Sequence, residues 1–285
     1  MTEMITPGQG KQFGRLAEDA LGGEVNITKR VAQRALGRGN EVMAGYLDLI
    51  RELGKNPHNK EASNYRYPKG YSGAKELEEQ ATILREQYQF PLKPLASVKT
   101  LPVGAEGLWV IPLIQGIVPL QCEHPYNYGV DFVLERLGQS RKFRNWRQGE
   151  TSHLYLRQSE RTLRLWNQLT LMQGSGELTP VVPIQFGMMH RGESVDYARE
   201  DVLDNEFLLG AYHIGVMLLT HPEREQAWEQ LHIDCGGDEF APDADGQFVN
   251  APIFNWNDGE LHFFTYWAED AFEQGGSASG FVPQD

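Results

Sequence analysis

The chain has 285 residues, 40% of them apolar and 11% aromatic, with 26 Lys+Arg against 39 Asp+Glu and two cysteines. A chain of that length fills one large or two modest domains and buries enough surface to be stable without cross-links, so no disulfide framework is expected of Cys122 and Cys235. The longest apolar stretches, around 108–117 and 208–219, fall short of the ~18 residues of a membrane span, and no charged leader with an apolar core opens the chain; the expectation is a cytoplasmic protein with no membrane partner.

The net charge of −13 is unevenly spread. Residues 191–285 hold 20 acidic side chains against Arg191, Arg199 and Arg224, a local charge of −17, whereas residues 1–190 hold 23 basic and 19 acidic ones, a charge of +4. Any surface for a polyanion should therefore lie before residue 191.

Residues 1–55 read as a helical segment. Apolar residues recur at helical spacing through Phe13, Leu16, Ala17, Ala20 and Leu21, then through Ile27, Val31, Ala35 and Leu36 after Asn26, then through Val42, Tyr46, Leu47, Ile50 and Leu53. Lys29, Arg30, Arg34 and Arg38 would line the recognition helix of a helix-turn-helix, but Ala17 and Gly22 stand five apart where four is expected, and a small bundle with a solvated basic face is the stronger reading. Residues 56–95 read as a linker, polar and rich in Pro, Gly and Tyr, followed by a helix near 74–88.

Residues 96–285 read as an α+β domain ending in an antiparallel β-meander, so the fold class expected is α+β with an N-terminal helical part. An apolar run at 107–114 has strand length, and Pro112 places it at an edge or a bulge. Helices are expected near 129–138 and 152–172, and a short strand at 181–186 that stops at Gly187. Helical patterning covers 195–219 with a break near Asp204, and Thr220, Pro222 and Glu223 have the pattern of one more helix start, with His221 as part of the cap. From Leu231 the period becomes two, giving strand candidates at 231–235, 248–256 and 261–267; Asn257-Asp258-Gly259 is a hairpin turn by composition. Residues 275–280 are flexible by composition, with Phe281-Val282-Pro283 able to anchor them.

Gly236-Gly237-Asp238-Glu239-Phe240 matches the five-residue signature of diguanylate cyclases. The upstream Asp-x-Asp-x-Phe-Lys strand and the alternating α/β pattern that should accompany it are missing, and Pro242 falls where the second hairpin strand should continue, so cyclase activity is disfavoured. A wider set of residues points elsewhere. Gln185-Phe186-Gly187 with His190-Arg191-Gly192 and Ser194, Asn205-Glu206-Phe207, Met217 to Arg224, Ile233-Asp234-Cys235 with Gly237-Asp238-Glu239, and Gly276 to Phe281 together resemble an uncharacterised bacterial protein family. The similarity covers about 140–285, including Arg141-Lys142-Phe143 and Ser159-Glu160-Arg161-Thr162. In that family the positions of Gly236 and Phe240 vary, which implies that the cyclase pentapeptide is accidental, and the resemblance implies no activity.

His232, Asp234, Cys235, Asp238, Glu239, Asp243 and Asp245 crowd into fourteen positions. The enzyme reading takes Asp234, Asp238 and Glu239 as holders of a divalent metal acting on a phosphate ester. Asp243 to Phe248 resembles the middle of a calcium loop, but Ala241 and Pro252 stand where its first and last ligands should be, which favours a solvated turn. Cys235 with His232, or Cys122 with His124, would make a nucleophile pair only in a positive environment, and both have acidic neighbours. His190-Arg191-Gly192 after a strand could bind an anion, though residues of this kind more often end a strand.

The remaining positive feature is a basic and aromatic segment. Residues 131–166 hold eight basic against four acidic side chains, and Arg141, Lys142, Arg144, Trp146 and Arg147 interleave cations with an aromatic ring, which suits gripping phosphates while stacking an unpaired base. Arg157, Arg161 and Arg164 would share one helical face. The leading expectation is a non-catalytic binding or interaction protein, needing no cofactor, that contacts nucleic acid through these eight residues; a protein partner for the acidic third is the other possibility.

Overall fold

The computed structural model describes residues 59–283, and the expectations for residues 1–55 lie outside them. No described helix is long and apolar enough to cross a membrane. The class is α+β, as expected. In chain order the elements are α1 (Leu77–Thr82, continued by a π-turn), β1 (Gly107–Val110), α2 (Pro125–Ser140), β2 (Phe143–Asn145), β3 (Leu156–Gln158), α3 (Glu160–Met172), β4 (Val181–Arg191), α4 (Val195–Asp201), β5 (Glu206–Leu208), α5 (Ala211–Thr220), β6 (Ile233–Asp234), β7 (Asp238–Phe240), β8 (Asn250–Asn257), β9 (Glu260–Trp267) and β10 (Gly276–Phe281).

The strands form one mixed sheet. Its spine runs β1-β4-β10-β6-β8-β9-β2, with β5 also on β10, β7 on β8 and β3 on β7. Local chemistry explains most of the elements. Ser159 and Ser194 cap α3 and α4, their hydroxyls accepting from Thr162 N at 3.3 Å and Tyr197 N at 3.2 Å. The β8–β9 hairpin turns through Asp258 and Gly259 at φ 51° and 79°, the positive pair of a type I′ turn. Every residue of α5 is buried, and α2 approaches it so closely that a Cβ on Gly215 would lie 2.8 Å from the Val133 side chain.

Several boundaries differ from the sequence expectation. The segment expected as a helix from 152 contains β3 before α3 starts at Glu160. The stretch 195–219 is two helices separated by β5. No helix follows Thr220. Its hydroxyl donates to Met217 O at 3.0 Å, as at a helix C-terminus, and residues 221–229 are turns. Strand β4 does not stop at Gly187 but bulges there, at φ 112°, and continues to Arg191. The C-terminal part is not a simple meander, because β10 lies between β4 and β6 and runs parallel to β6. Its six residues are all buried, although Gly276 to Gly280 were expected to be flexible and only Phe281 to anchor them. Small residues are required there, since a Cβ on Gly276 would stand 2.4 Å from Gly187 O and one on Gly280 2.8 Å from the Phe207 ring. Residues 59–95 belong to the same unit as the sheet rather than tethering it, with Lys60 bridging Glu193, Arg66 bridging Gln230 and Leu95 bridging Thr179.

Three glutamine side chains stand in for missing backbone partners. Gln80, fully buried on α1, donates to Leu108 O at 2.9 Å and accepts from Val110 N at 3.0 Å, closing the outer edge of β1. Gln173 does the same for Val181, accepting from its N at 3.0 Å and donating to its O at 2.8 Å. Gln185 accepts from Gly187 N at 2.7 Å and Met189 N at 3.2 Å inside the bulge, and donates across to Ser277 O at 2.8 Å. A buried strand edge needs such partners, because each unpaired N–H or C=O costs about 1–3 kcal/mol.

Candidate functional site

The eight basic and aromatic residues do not form one surface. Arg157 lies on β3, not on a helical face with Arg161 and Arg164, because α3 begins only after it. Two of the guanidiniums are engaged by backbone carbonyls. Arg141 donates to Arg224 O at 3.4 Å and to Glu225 O and lies over Trp256, while Arg161 donates to Glu206 O at 3.0 Å, Asp204 O at 3.3 Å and Leu203 O. Burial lowers the pKa of both. Three more have acidic partners: Arg144 with Glu260 at 2.6 Å, Arg147 with Glu150 at 3.0 Å and Arg157 with Glu239 at 2.6 Å. Two of those three partners, Glu239 and Glu260, come from the acidic C-terminal third. Lys142 and Arg164 are exposed and have no ion-pair partner among the described residues.

Trp146 stands beyond the end of β2, the outermost strand beside β9. Its backbone N donates to Phe263 O at 2.9 Å and its indole N–H to His262 Nδ1 at 3.4 Å, yet the side chain is exposed (55%). The Arg144 guanidinium lies 5.1 Å from its ring centre. Lys142, Arg144 and Trp146 alternate along the outermost strand and its ends and are all exposed, and therefore make a small cationic and aromatic platform on a sheet edge.

The structure does not bring Asp234, Asp238 and Glu239 together. Asp234 is fully buried and accepts from Tyr266 O–H at 2.7 Å; burial pushes its pKa up to about 7, and its Oδ2 has no partner among the described residues. Asp238 accepts from Tyr126 O–H at 2.6 Å and from Ala211 N at 2.7 Å, so it holds the first turn of α5. Burial raises it to about 7 against the pull of those donors. Glu239 points outward to Arg157. The pentapeptide glycines serve close packing: a Cβ on Gly237 would meet Leu208 O at 2.3 Å and one on Gly236 the Leu208 side chain at 2.6 Å. Asp243 to Phe248 is a turn in which Asp245 accepts from Gln247 N at 2.8 Å. Cys235 is buried, and burial followed by the charges of Asp238 and Asp234 pushes its thiol pKa up, away from a thiolate.

One cluster was not visible beforehand. His190, buried near the end of β4, bonds through Nδ1 to Glu193 Oε2 at 2.8 Å and through Nε2 to Glu206 Oε1 at 2.9 Å. Glu206 also accepts from Leu203 N at 3.0 Å and from the Ser279 hydroxyl, and Lys60 reaches Glu193 Oε1 at 2.5 Å. Burial opposes protonation of His190, and the two carboxylates outweigh it, raising the imidazole pKa to about 9. The only advance signal was His190 and Glu193 at i, i+3; Lys60, Glu206 and Ser279 come from three other segments. A second buried pair, Arg224 with Glu225 at 3.4 Å, sits with the guanidinium 4.6 Å from the Tyr67 ring centre and 5.2 Å from that of Phe186.

Comparisons with family models, curated proteins and solved structures find no match. The functional reading therefore rests on the geometry. A groove of 690 Å³ beside α3, lined by Lys93, Gln115, Asn167 and Leu171 among others, contains none of the residues singled out from the sequence.

Proposed function

We propose that the protein is a non-catalytic binding protein that contacts unpaired nucleic acid through Lys142, Arg144 and Trp146. The observation that carries this reading is the exposed Trp146 ring, pinned at its backbone and at its indole N–H and accompanied by the exposed Lys142 and Arg144 on the same edge. A base stacks on the open ring face, Lys142 meets a phosphate, and Arg144 exchanges Glu260 for a second phosphate. Ordering the platform costs little on binding, because the backbone of β2 is already held by β9. Arg141 and Arg161 are less available, since their donors are engaged by backbone carbonyls. Arg147 and Arg157 contribute only if Glu150 and Glu239 release them.

The test is a titration of the full chain with fluorescein-labelled single-stranded RNA and DNA of about ten nucleotides across a salt series. Binding should weaken with salt, Trp146→Ala should weaken it roughly 5- to 150-fold, the equivalent of one stacked base, and Lys142→Gln with Arg144→Gln should flatten the salt slope. No binding at low ionic strength, or equal affinity for Trp146→Ala, overturns the proposal.

A further inference from the structure

Apart from the platform, one cluster among the described residues brings three metal-ligating side chains together: one ligand atom from each of His190, Glu193 and Asp201 lies within 4.8 Å of the other two. His190 and Glu193 are buried, whereas Asp201 is exposed, so the group opens to solvent on the Asp201 side. Two cationic groups now converge on Glu193. The His190 imidazole approaches one carboxylate oxygen at 2.8 Å and the Lys60 ammonium the other at 2.5 Å. The Lys60 side chain is itself exposed (57%) and so free to swing away.

The far side of the imidazole is built as well. His190 Nε2 is fastened to Glu206, and Glu206 is fixed by Leu203 N and Ser279. A carboxylate holding one ring nitrogen of a histidine is the arrangement that presents the other nitrogen to a metal and raises its basicity. Here the presented atom is Nδ1, which lies 2.8 Å from Glu193 Oε2 in the group that Asp201 completes.

We infer that His190 Nδ1, Glu193 and Asp201 form a site for one divalent transition-metal ion of the zinc type, with Lys60 occupying the cation position when the metal is absent. One nitrogen and two carboxylate oxygens suit zinc, which takes such ligands at about 2.0–2.2 Å and completes four-coordination with water. Ligands at those distances stand about 3.3 Å apart, so Glu193 must draw back slightly from His190 while Asp201, being exposed, closes in by rotamer change. Charge and protons balance: the dication takes the place of the Nδ1 proton of the imidazolium, which is released to solvent, and of the Lys60 ammonium, which leaves still protonated. This site shares no residue with the nucleic-acid platform and does not depend on it.

The experiment is calorimetry of the untagged full chain with zinc, and optical spectroscopy with cobalt(II), against magnesium and calcium as hard-ion controls. One equivalent of zinc should bind, and cobalt should give visible bands of a low-coordinate nitrogen–oxygen site. Asp201→Asn, a surface change that leaves the buried network intact, should weaken zinc by about tenfold or more. Lys60→Met should tighten it by up to about fivefold, the weight of one half-exposed ion pair. His153→Ala, which breaks the stacked His124–His153 pair at 3.8 Å, should change nothing. The inference is overturned by no stoichiometric zinc binding to the native chain and Lys60→Met, by unchanged affinity in Asp201→Asn, or by loss of binding in His153→Ala.

Discussion

Replacing Gln80 with leucine tests whether a side-chain amide closes the outer edge of the sheet. Gln80 makes three bonds in a fully buried position: its amide nitrogen donates to Lys75 O at 2.7 Å and Leu108 O at 2.9 Å, and its oxygen accepts from Val110 N at 3.0 Å. Leucine keeps much of the volume but leaves the Val110 N–H buried without a partner, at about 1–3 kcal/mol, and removes one bond from each of two carbonyls, about 1 kcal/mol apiece. Part of that loss is offset because the leucine carries no polar group to desolvate, and the net expectation is about 2–4 kcal/mol of destabilisation. For a domain of this size that lowers Tm by roughly 4–16 °C. Urea unfolding followed by far-UV circular dichroism should show a lower midpoint with the same m-value, and amide exchange at Val110 should accelerate selectively. A midpoint within about 0.5 kcal/mol of the native protein would refute the reasoning, because the β1 edge would then be closed by something other than this amide.

Three further outcomes are expected. Gly276→Ala forces a Cβ to 2.4 Å from Gly187 O and should destabilise by about 1–3 kcal/mol or more, read from the same urea curves. Asp238→Ala removes the support of the first turn of α5 and leaves the buried Tyr126 hydroxyl without its partner, for a loss of about 2–4 kcal/mol, whereas Asp238→Asn should retain most of the stability. Burial lowers the His213 pKa to about 3, so the folded protein keeps this imidazole neutral while the unfolded chain takes up a proton below about 6.5. Its contribution is present above pH 6.5 and is lost as the pH falls towards 3; His213→Phe should therefore reduce the stability lost between pH 7 and pH 4 by about 3 kcal/mol, and an unchanged pH profile would show that His213 is not held neutral.

What was readable from the sequence is what local chemistry determines. The β8–β9 hairpin announced itself through Asp258-Gly259, and Pro112 correctly placed the apolar run beside it at a sheet edge, where β1 lies. The errors have physical causes too. Thr220 and Glu223 imitate a capping box, yet a threonine hydroxyl can equally bond back to the previous turn, and only the packing of α5 decides which. Residues 275–280 read as flexible because small residues give a strand no apolar period, although close approach to Gly187 and Phe207 is the reason Gly276 and Gly280 are small. The charge pattern was informative about composition and misleading about surface: Glu239 and Glu260 neutralise Arg157 and Arg144 from positions far along the chain, and no spacing rule reveals that pairing. The His190 cluster stayed hidden for the same reason.

The position of β10 also dictates an order of events during synthesis. Strands β4 and β6 leave the ribosome well before the segment that must lie between them, so until then each presents an unsatisfied flank in the crowded cell. Sheet completion is thus a late, long-range step, of the kind that folds slowly and exposes a nascent chain to association with its neighbours. A helper that shields those two flanks would act on this protein at its most vulnerable moment.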